Sequence, residues 1–136
     1  MTPLEIVENL YKAYAAGDIE GALSYCADDV CFSWVADPAL MPYGGGCNCK
    51  ADFLERLMGL HKDYEYHSYR PLEVFGAGER VAAQIEIELT RRDNGKRFKM
   101  LCADFWTVRN GVVTEMVEYY DTAMIAEMDK PVAVAA

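Results

Sequence analysis

Two carboxylic acids, Asp104 and Glu118, are the residues of this sequence whose types and setting could perform chemistry. Asp104 lies in the apolar run LCADFW, where an ionised carboxylate would be costly. Burial raises the pKa of a carboxyl, and a second carboxyl nearby raises one of the pair further. One group could then donate a proton while the other accepts one. That chemistry suits enolisation, isomerisation or an aldol-type ring closure.

Whether the two acids meet depends on the register of the strands that carry them. A tight hairpin at Asn110 and Gly111 would place Asp104 opposite Val117, and only a β-bulge would turn Glu118 to the same face. In the alternative, Asp104 merely accepts a hydrogen bond from the backbone or a tyrosine hydroxyl, and Glu118 faces water. Both arrangements remain open at this point.

Aromatic and methionine side chains are expected to line a pocket around the acids. If strand alternation holds, Met100, Cys102, Asp104 and Trp106 share the inner face of one long strand. Such a lining suits a flat apolar ligand, although any single member could be an ordinary core residue. The candidate substrate-binding residues are Tyr14, Phe32, Trp34, Met58, Tyr66, Met100, Trp106, Met116 and Tyr120.

No metal site and no cofactor are expected. Cys47 and Cys49 are separated by one residue, whereas zinc sites use C-x₂-C spacings and four converging ligands. The histidines, His61 and His67, do not stand at a ligand spacing from this pair. His67 could act as an acid or base near neutral pH, but a satisfied or exposed ring is the preferred interpretation.

The elements that must position these residues follow a helices-first order. The predicted helices cover residues 3–16, 18–25 and 51–62, and the predicted strands cover 30–35, 64–75, 80–92, 96–109 and 112–120. A loop with two prolines and three consecutive glycines covers 37–49, and a last helical turn covers 122–128. DNG and NG turn signals separate the later strands, which predicts an antiparallel meander.

This order predicts an α+β fold in which a curved antiparallel sheet wraps over three N-terminal helices. The long strands would form a cone with an open mouth, a cystatin-like α+β barrel that offers a small-molecule pocket. The 136 residues fit one domain, predicted over 1–130, with a loose tail over 131–136.

Composition and charge exclude several classes of partner. Lysine and arginine number 13 against 22 acidic residues, a formal charge of −9, which argues against nucleic acid and anionic membranes. We see no signal peptide and no apolar run long enough to span a membrane. The odd number of cysteines, five, is typical of a reducing compartment, so we expect a cytoplasmic location.

One face of the longest strand is apolar where water is expected. Leu101, Ala103 and Phe105 alternate with the inner-face residues and should therefore point away from the core. An uncovered apolar face of this kind favours a homodimer through the outer side of the sheet.

Two stretches carry a resemblance to a known superfamily: AGDIEGA at 16–22 leading to ADDV at 27–30, and FWTVRNG at 105–111 leading to EYYDTA at 118–123. With the helix and strand order, they resemble the nuclear-transport-factor-two-like superfamily, and within it the SnoaL-like and ketosteroid-isomerase-like proteins. The resemblance implies the cone fold and a frequent homodimer. It does not select an activity, because the superfamily holds many enzymes and also non-enzymes.

The resemblance to ketosteroid isomerases implies one matching residue. Those enzymes use a tyrosine and a protonated aspartic acid to hold an oxyanion, with a second aspartate as base. Asp104 matches the oxyanion-hole acid, but Leu10 stands at the tyrosine position and Trp34 at the base position. Two of the three parts are therefore missing.

The resemblance to limonene epoxide hydrolases and SnoaL-like cyclases centres on Glu118, which takes the place of a catalytic carboxylate. The arginine and second aspartate of the hydrolases fall on Ile85 and Ile87. The sequence thus predicts an acid–base enzyme of isomerase, cyclase or lyase type for an apolar or amphipathic small molecule, with Asp104 as acid and Glu118 as base. The alternative is a non-catalytic ligand-binding or dimerisation module of the same fold.

Overall fold

The structure, a computed structural model, describes residues 1–132. Its helices are α1 Pro3–Ala15, α2 Ile19–Leu23, α3 Lys50–Asp63 and α4 Thr122–Asp129. Its strands are β1 Cys26–Trp34, β2 Gly45–Cys47, β3 Tyr64–Ala77, β4 Arg80–Arg91, β5 Arg97–Arg109 and β6 Val112–Tyr120. The predicted α+β class is confirmed, and the turn predicted at 122–128 is a helix.

The first helix begins at a capping box, as its sequence indicates. The Thr2 side chain accepts a hydrogen bond from the Glu5 amide, and Pro3 occupies the first helical turn, where its missing N–H costs nothing. Ile6, Val7 and Leu10 then form a buried stripe that packs against the concave side of the sheet.

A curved six-stranded sheet has the order β2-β1-β6-β5-β4-β3. Its neighbours pair antiparallel except β1 and β6, which are parallel, so the sheet is mixed where antiparallel pairing was predicted. The difference has a physical reason. No turn joins β1 to β6, because α3 and four strands intervene, so local turn chemistry does not set their relative direction.

Strand β2 lies within the segment predicted to be a loop. It contributes a short glycine-rich edge to β1, with Phe32 opposite Cys47. A Cβ on Gly46 would meet the Phe32 carbonyl oxygen at 2.4 Å, so the close approach of the two backbones requires glycine there. Glycine carries no side-chain signal for a strand, which is why the sequence pattern did not indicate one.

The hairpin between β5 and β6 contains a β-bulge. Arg109 pairs with Val112 across the Asn110–Gly111 turn, as a tight hairpin requires. Farther along, Thr107 pairs with Glu115 while Val108 pairs with Val113, so Thr114 is the extra residue on β6. Its hydroxyl donates a hydrogen bond of 3.4 Å to the Thr107 carbonyl oxygen. The bulge reverses the facing of every later β6 residue.

Residues at the end of the chain are described in part. Pro131 and Val132 follow α4 outside any helix or strand and are exposed. The rest of the predicted loose tail, residues 133–136, lies outside the described residues, and the predicted domain boundary at 130 stays a prediction. Within residues 1–132, no helix combines the length and the apolar character needed to cross a membrane.

Candidate active site

Asp104 lies at the centre of the inner face of β5 and is 1% exposed. The Tyr11 hydroxyl on α1 donates a hydrogen bond of 2.7 Å to its Oδ2, and the Trp106 indole N–H donates to the Tyr11 oxygen, also at 2.7 Å. Oδ1 is buried and has no hydrogen-bond partner among the described residues. A buried acceptor without a partner is costly, so this oxygen is available for a proton or a ligand donor.

Glu118 lies directly opposite Asp104 in the β5–β6 pairing. Because of the bulge at Thr114, both side chains point to the concave face of the sheet. Of the two registers that the sequence left open, the bulged one occurs, and the register that opposes Asp104 to Val117 does not. Glu118 is half-buried, and its accessible part faces cavity space rather than open solvent, since it lines two adjoining cavities.

Burial perturbs both carboxyls. It raises the pKa of Glu118 well above its usual range, and the negative charge of Asp104 raises that pKa further. Burial also raises the pKa of Asp104, although the neighbouring Glu118 carboxyl and the Tyr11 hydrogen bond offset part of this effect. Two close carboxyls with raised pKa values retain a shared proton near neutral pH. Because the Tyr11 hydroxyl stabilises the anionic form of Asp104, Glu118 is the better holder of that proton.

Two narrow cavities flank Glu118. The inner lobe, about 60 Å³, contains Asp104 and lies between the sheet, α1 and α3. The outer lobe, also about 60 Å³, lies between the sheet, α4 and the loop at 41–43. Both lobes are lined mainly by apolar atoms, so a charge introduced there would be poorly solvated.

Seven of the nine predicted lining residues face these lobes. The inner lobe is lined by Tyr14, Trp106 and Met116, the outer lobe by Met100 and Tyr120, and both by Trp34 and Tyr66. Met100, Asp104 and Trp106 share the inner face of β5 as predicted, because alternation within a single strand is a local property.

Phe32 and Met58 were wrongly assigned to the lining. The Phe32 ring is buried but stacks on Phe53 with centroids 4.0 Å apart, so core packing occupies its face. Met58 is 56% exposed. It follows Leu57, which with Phe53 forms the buried side of α3, and one step along a helix rotates the side chain by about 100°.

Sequence reasoning missed Tyr11 as a partner of Asp104, because it aligned the ketosteroid-isomerase tyrosine with Leu10. It also missed Tyr69, which lines the inner lobe and whose pKa is raised, first by burial and then by Asp104. The sequence did indicate that Tyr11 points inward, since it lies on the predicted apolar face of α1. Its partner is 93 residues away, however, and no local pattern shows that contact.

The two histidines take different positions. His61 stacks on Tyr66 with centroids 4.2 Å apart, and its Nε2 lies 3.1 Å from the Tyr14 hydroxyl. Burial, and then the charge of Arg92, lower its pKa. His67 is exposed and is hydrogen-bonded to Thr90 at 2.6 Å, outside the cavity.

Metal-ligating side chains do not cluster in the described part of the chain. Within residues 1–132, no group of three or more histidine, cysteine, aspartate or glutamate side chains is placed to hold an ion. Cys47 and Cys49 are free thiols, and the Cys47 sulfur lies 3.5 Å from the Cys49 carbonyl oxygen.

The family model of the SnoaL-like domain matches residues 7–116. The chain belongs to the SnoaL-like domain family. The matched region includes Asp104 and ends two residues before Glu118, so family membership by itself does not address the second acid. No curated protein matches this SnoaL-like chain significantly.

Solved structures similar to this SnoaL-like domain share its fold over nearly the whole chain. An NTF2-like protein from Burkholderia thailandensis is 22% identical, with a TM-score of 0.88 over 96% of this chain and 99% of that one. A proposed SnoaL-like polyketide cyclase from Mesorhizobium loti is 25% identical, with a TM-score of 0.76 over 88% and 100%. TerC, co-crystallised with polyporic acid, is 25% identical, with a TM-score of 0.80 over 93% and 98%. The cone-shaped NTF2-like fold predicted from the sequence is confirmed.

Proposed function

We propose that this SnoaL-like domain is an acid–base enzyme that moves a proton on an apolar, oxygen-bearing small molecule through Asp104 and Glu118. One observation carries the proposal: two carboxyls with raised pKa values face each other in an apolar cavity, and one oxygen of Asp104 has no partner. Perturbed titratable groups in a cleft are typical of sites that transfer protons.

The proton balance of such a step is simple. The pair starts with one proton, on Glu118, and Asp104 ionised. Glu118 donates its proton to a carbonyl oxygen of the ligand while Asp104 accepts a proton from the adjacent carbon, which yields an enol. The pair ends with one proton, now on Asp104, and a reverse transfer at another carbon completes an isomerisation. This order reverses the roles expected from the sequence, because Tyr11 favours the anion on Asp104.

The relatives support the reaction class without identifying a substrate. Enolisation is the first step of an intramolecular aldol closure, and the relative from Mesorhizobium loti is a proposed polyketide cyclase. TerC, which has a similar fold and size, was co-crystallised with polyporic acid, an organic small molecule.

A ligand-binding module without catalysis is the second candidate. Apolar residues occupy three of the positions at which the resembling enzymes carry helpers: Trp34, Ile85 and Ile87, all buried. An enzyme that relies on those helpers would be inactive here, whereas a binding protein has no need of them.

Proton exchange on an enolisable probe separates the two candidates. We expect the protein to accelerate exchange of the central C–H of benzoylacetone with deuterated water, followed by NMR. Asp104→Asn and Glu118→Gln should each lose about 100-fold or more of the acceleration, the range typical of a general acid or base. Glu115→Gln, an exposed carboxyl on the same strand, is the matched control and should retain full activity. Binding of the probe with no acceleration would favour the binding module instead.

A further inference from the structure

Helix α4 and one loop cover the outer lobe from outside the core. The loop contributes residues 41–43 to the wall of that lobe, and α4 contributes Ile125 and Asp129. The helices that enclose the inner lobe do so with buried core residues, such as Leu10 and Leu23. A wall of the outer lobe can therefore move at a smaller cost to the core than a wall of the inner lobe.

The size of the lobes makes such a movement necessary for a ligand of ring size. Each lobe has a volume of about 60 Å³. An apolar cavity that holds benzene measures about 150 Å³. A molecule that contains a ring can therefore reach Glu118, which lines both lobes, only after a wall moves outward.

Polar contacts at its C-terminal end attach α4 to the sheet. Among its eight residues, Thr122–Asp129, none is fully buried. Asp129 accepts a hydrogen bond of 2.8 Å from Arg91 and one of 2.6 Å from the Tyr64 hydroxyl. So short a helix gains little stability from its own backbone hydrogen bonds. Its position therefore depends on these contacts of Asp129.

The N-terminal end of α4 continues directly from the sheet. Tyr120, the last residue of β6, pairs with Cys102 on β5. Asp121 follows, and its side chain accepts a hydrogen bond of 3.0 Å from the Met124 amide. Because this cap lies within the α4 end itself, the helix can turn about Asp121 as a unit while β6 remains paired.

The loop at 41–43 is the fixed side of the outer lobe. It is joined to β1 at one end and to β2 at the other. The Tyr43 hydroxyl donates a hydrogen bond to Asp63 on α3, and its ring packs edge-to-face on the buried Trp34 with centroids 6.1 Å apart. Movement of the loop would disturb the core, so α4 is the side that moves.

We propose that α4 is a lid, which turns outward about Asp121 when the Asp129 contacts break and admits a ring-sized apolar molecule beside Glu118. The inference goes beyond the proposed function, because it concerns access to the acids rather than their chemistry. Lid opening leaves the sheet and α1 to α3 in contact, so it costs much less than unfolding. In the closed position, the lid keeps water away from the acid pair.

A thiol placed beneath α4 measures the opening without any ligand. Met100 lines the outer lobe and is buried, so iodoacetamide reaches the new thiol of Met100→Cys only after a wall moves. Cys26 is also buried but lines neither lobe, so its labelling reports unfolding of the core. Peptide mass spectrometry gives both rates, each divided by the rate at the same site in urea-unfolded protein. Position 100 should react at least about tenfold faster than Cys26, with little dependence on urea below the unfolding transition.

Variants of α4 in the Met100→Cys protein test the Asp129 contacts. Asp129→Asn keeps the size of the side chain but removes its charge, so labelling at position 100 should rise at least about fivefold while that of Cys26 is unchanged. Glu127→Gln makes the same replacement at an exposed residue of the helix and should leave both rates within about twofold. Leu89→Cys, at another buried residue of the outer lobe, replaces Met100→Cys if that variant loses its thermal transition.

The lid and the acid–base chemistry can fail separately. Equal rates at position 100 and Cys26, equally steep urea dependence at the two sites, or an unchanged rate in Asp129→Asn would each overturn the lid. Accelerated proton exchange on benzoylacetone together with any of these results would keep the acid–base enzyme and refute the lid. Lid opening without accelerated proton exchange would support the lid over a binding site and refute the acid–base enzyme.

Discussion

At the scale of single residues, a chain of hydrogen bonds decides how the two acids divide their proton. The Trp106 indole donates to the Tyr11 hydroxyl, which donates to Asp104. A donor held at one carboxylate oxygen favours the charged form of that group, so the proton resides on the opposite acid, Glu118. If both acids were exposed to water, their pKa values would stay near the usual range and neither would retain a proton at neutral pH.

The raised pKa values make stability depend on pH. The folded state holds protons that the unfolded state releases above about pH 4, so the stability from protonation is fully present in acid and is lost as pH rises through the folded pKa values. We expect the free energy of unfolding, from urea titrations, to fall as pH rises above about 5, by at most about 1.4 kcal/mol per pH unit for the one proton that the pair retains near neutral pH.

Glu118→Gln should flatten this slope and stabilise the protein at pH 8 to 9, because the amide stays uncharged and leaves Asp104 without a like-charged neighbour. The matched control is Glu115→Gln, an exposed residue on the same strand, which should retain the wild-type slope. If the free energy of unfolding of the wild type instead rose with pH over this range, the direction of both pKa shifts would be contradicted.

At the scale of elements, the C-terminal helix α4 forms one wall of the outer lobe without a buried residue of its own. It is held at its end by polar contacts. Asp129 binds Arg91 and Tyr64, and the Asn94 side chain donates to the Met128 carbonyl oxygen at 2.7 Å. An element attached in this way can loosen without unfolding the core.

Asp129→Ala should therefore increase hydrogen–deuterium exchange of amides in α4 while leaving β5 protected. The expected loss of overall stability is about 1–3 kcal/mol, because Arg91 and Tyr64 lose a half-buried partner. Glu127→Ala is the control on the same helix and should leave stability nearly unchanged, because its ion pair with Lys130 is exposed and screened by solvent. If the α4 amides of Asp129→Ala exchanged no faster than those of the wild type, the polar contacts would not be what holds the helix.

At the scale of the whole molecule, the convex side of the sheet carries an apolar patch. Leu101 and Tyr119 are each 51% exposed and Phe105 is 40% exposed. The rings of Phe105 and Tyr119 pack edge-to-face with centroids 6.0 Å apart. We propose that a second copy of the chain covers this patch, since contiguous exposed apolar surface is typical of an interface.

Size-exclusion chromatography with light scattering should then give the mass of a dimer, twice 15.3 kDa. Phe105→Asp places a charge in the centre of the patch and should yield a monomer, because burying an unpaired carboxylate is costly. Leu40→Asp, an exposed substitution in the loop before β2, should leave the dimer intact. A monomeric wild type would remove the homodimer proposal.

The sequence by itself determined the α+β class, the order of most helices and strands, and the inward facing of Asp104 and Trp106. These features follow from helical spacing, strand alternation and turn residues, which act over a few positions.

Tertiary structure alone decided the site. The extra residue Thr114 turns Glu118 inward, and a strand period of two means that a single insertion reverses the face. Tyr11 meets Asp104 from 93 residues away, and β1 pairs with β6 without any turn between them. The division of the cavity into two lobes at Glu118 likewise depends on elements far apart in the chain. Contacts of this kind are set by packing of the whole molecule, so no local pattern encodes them.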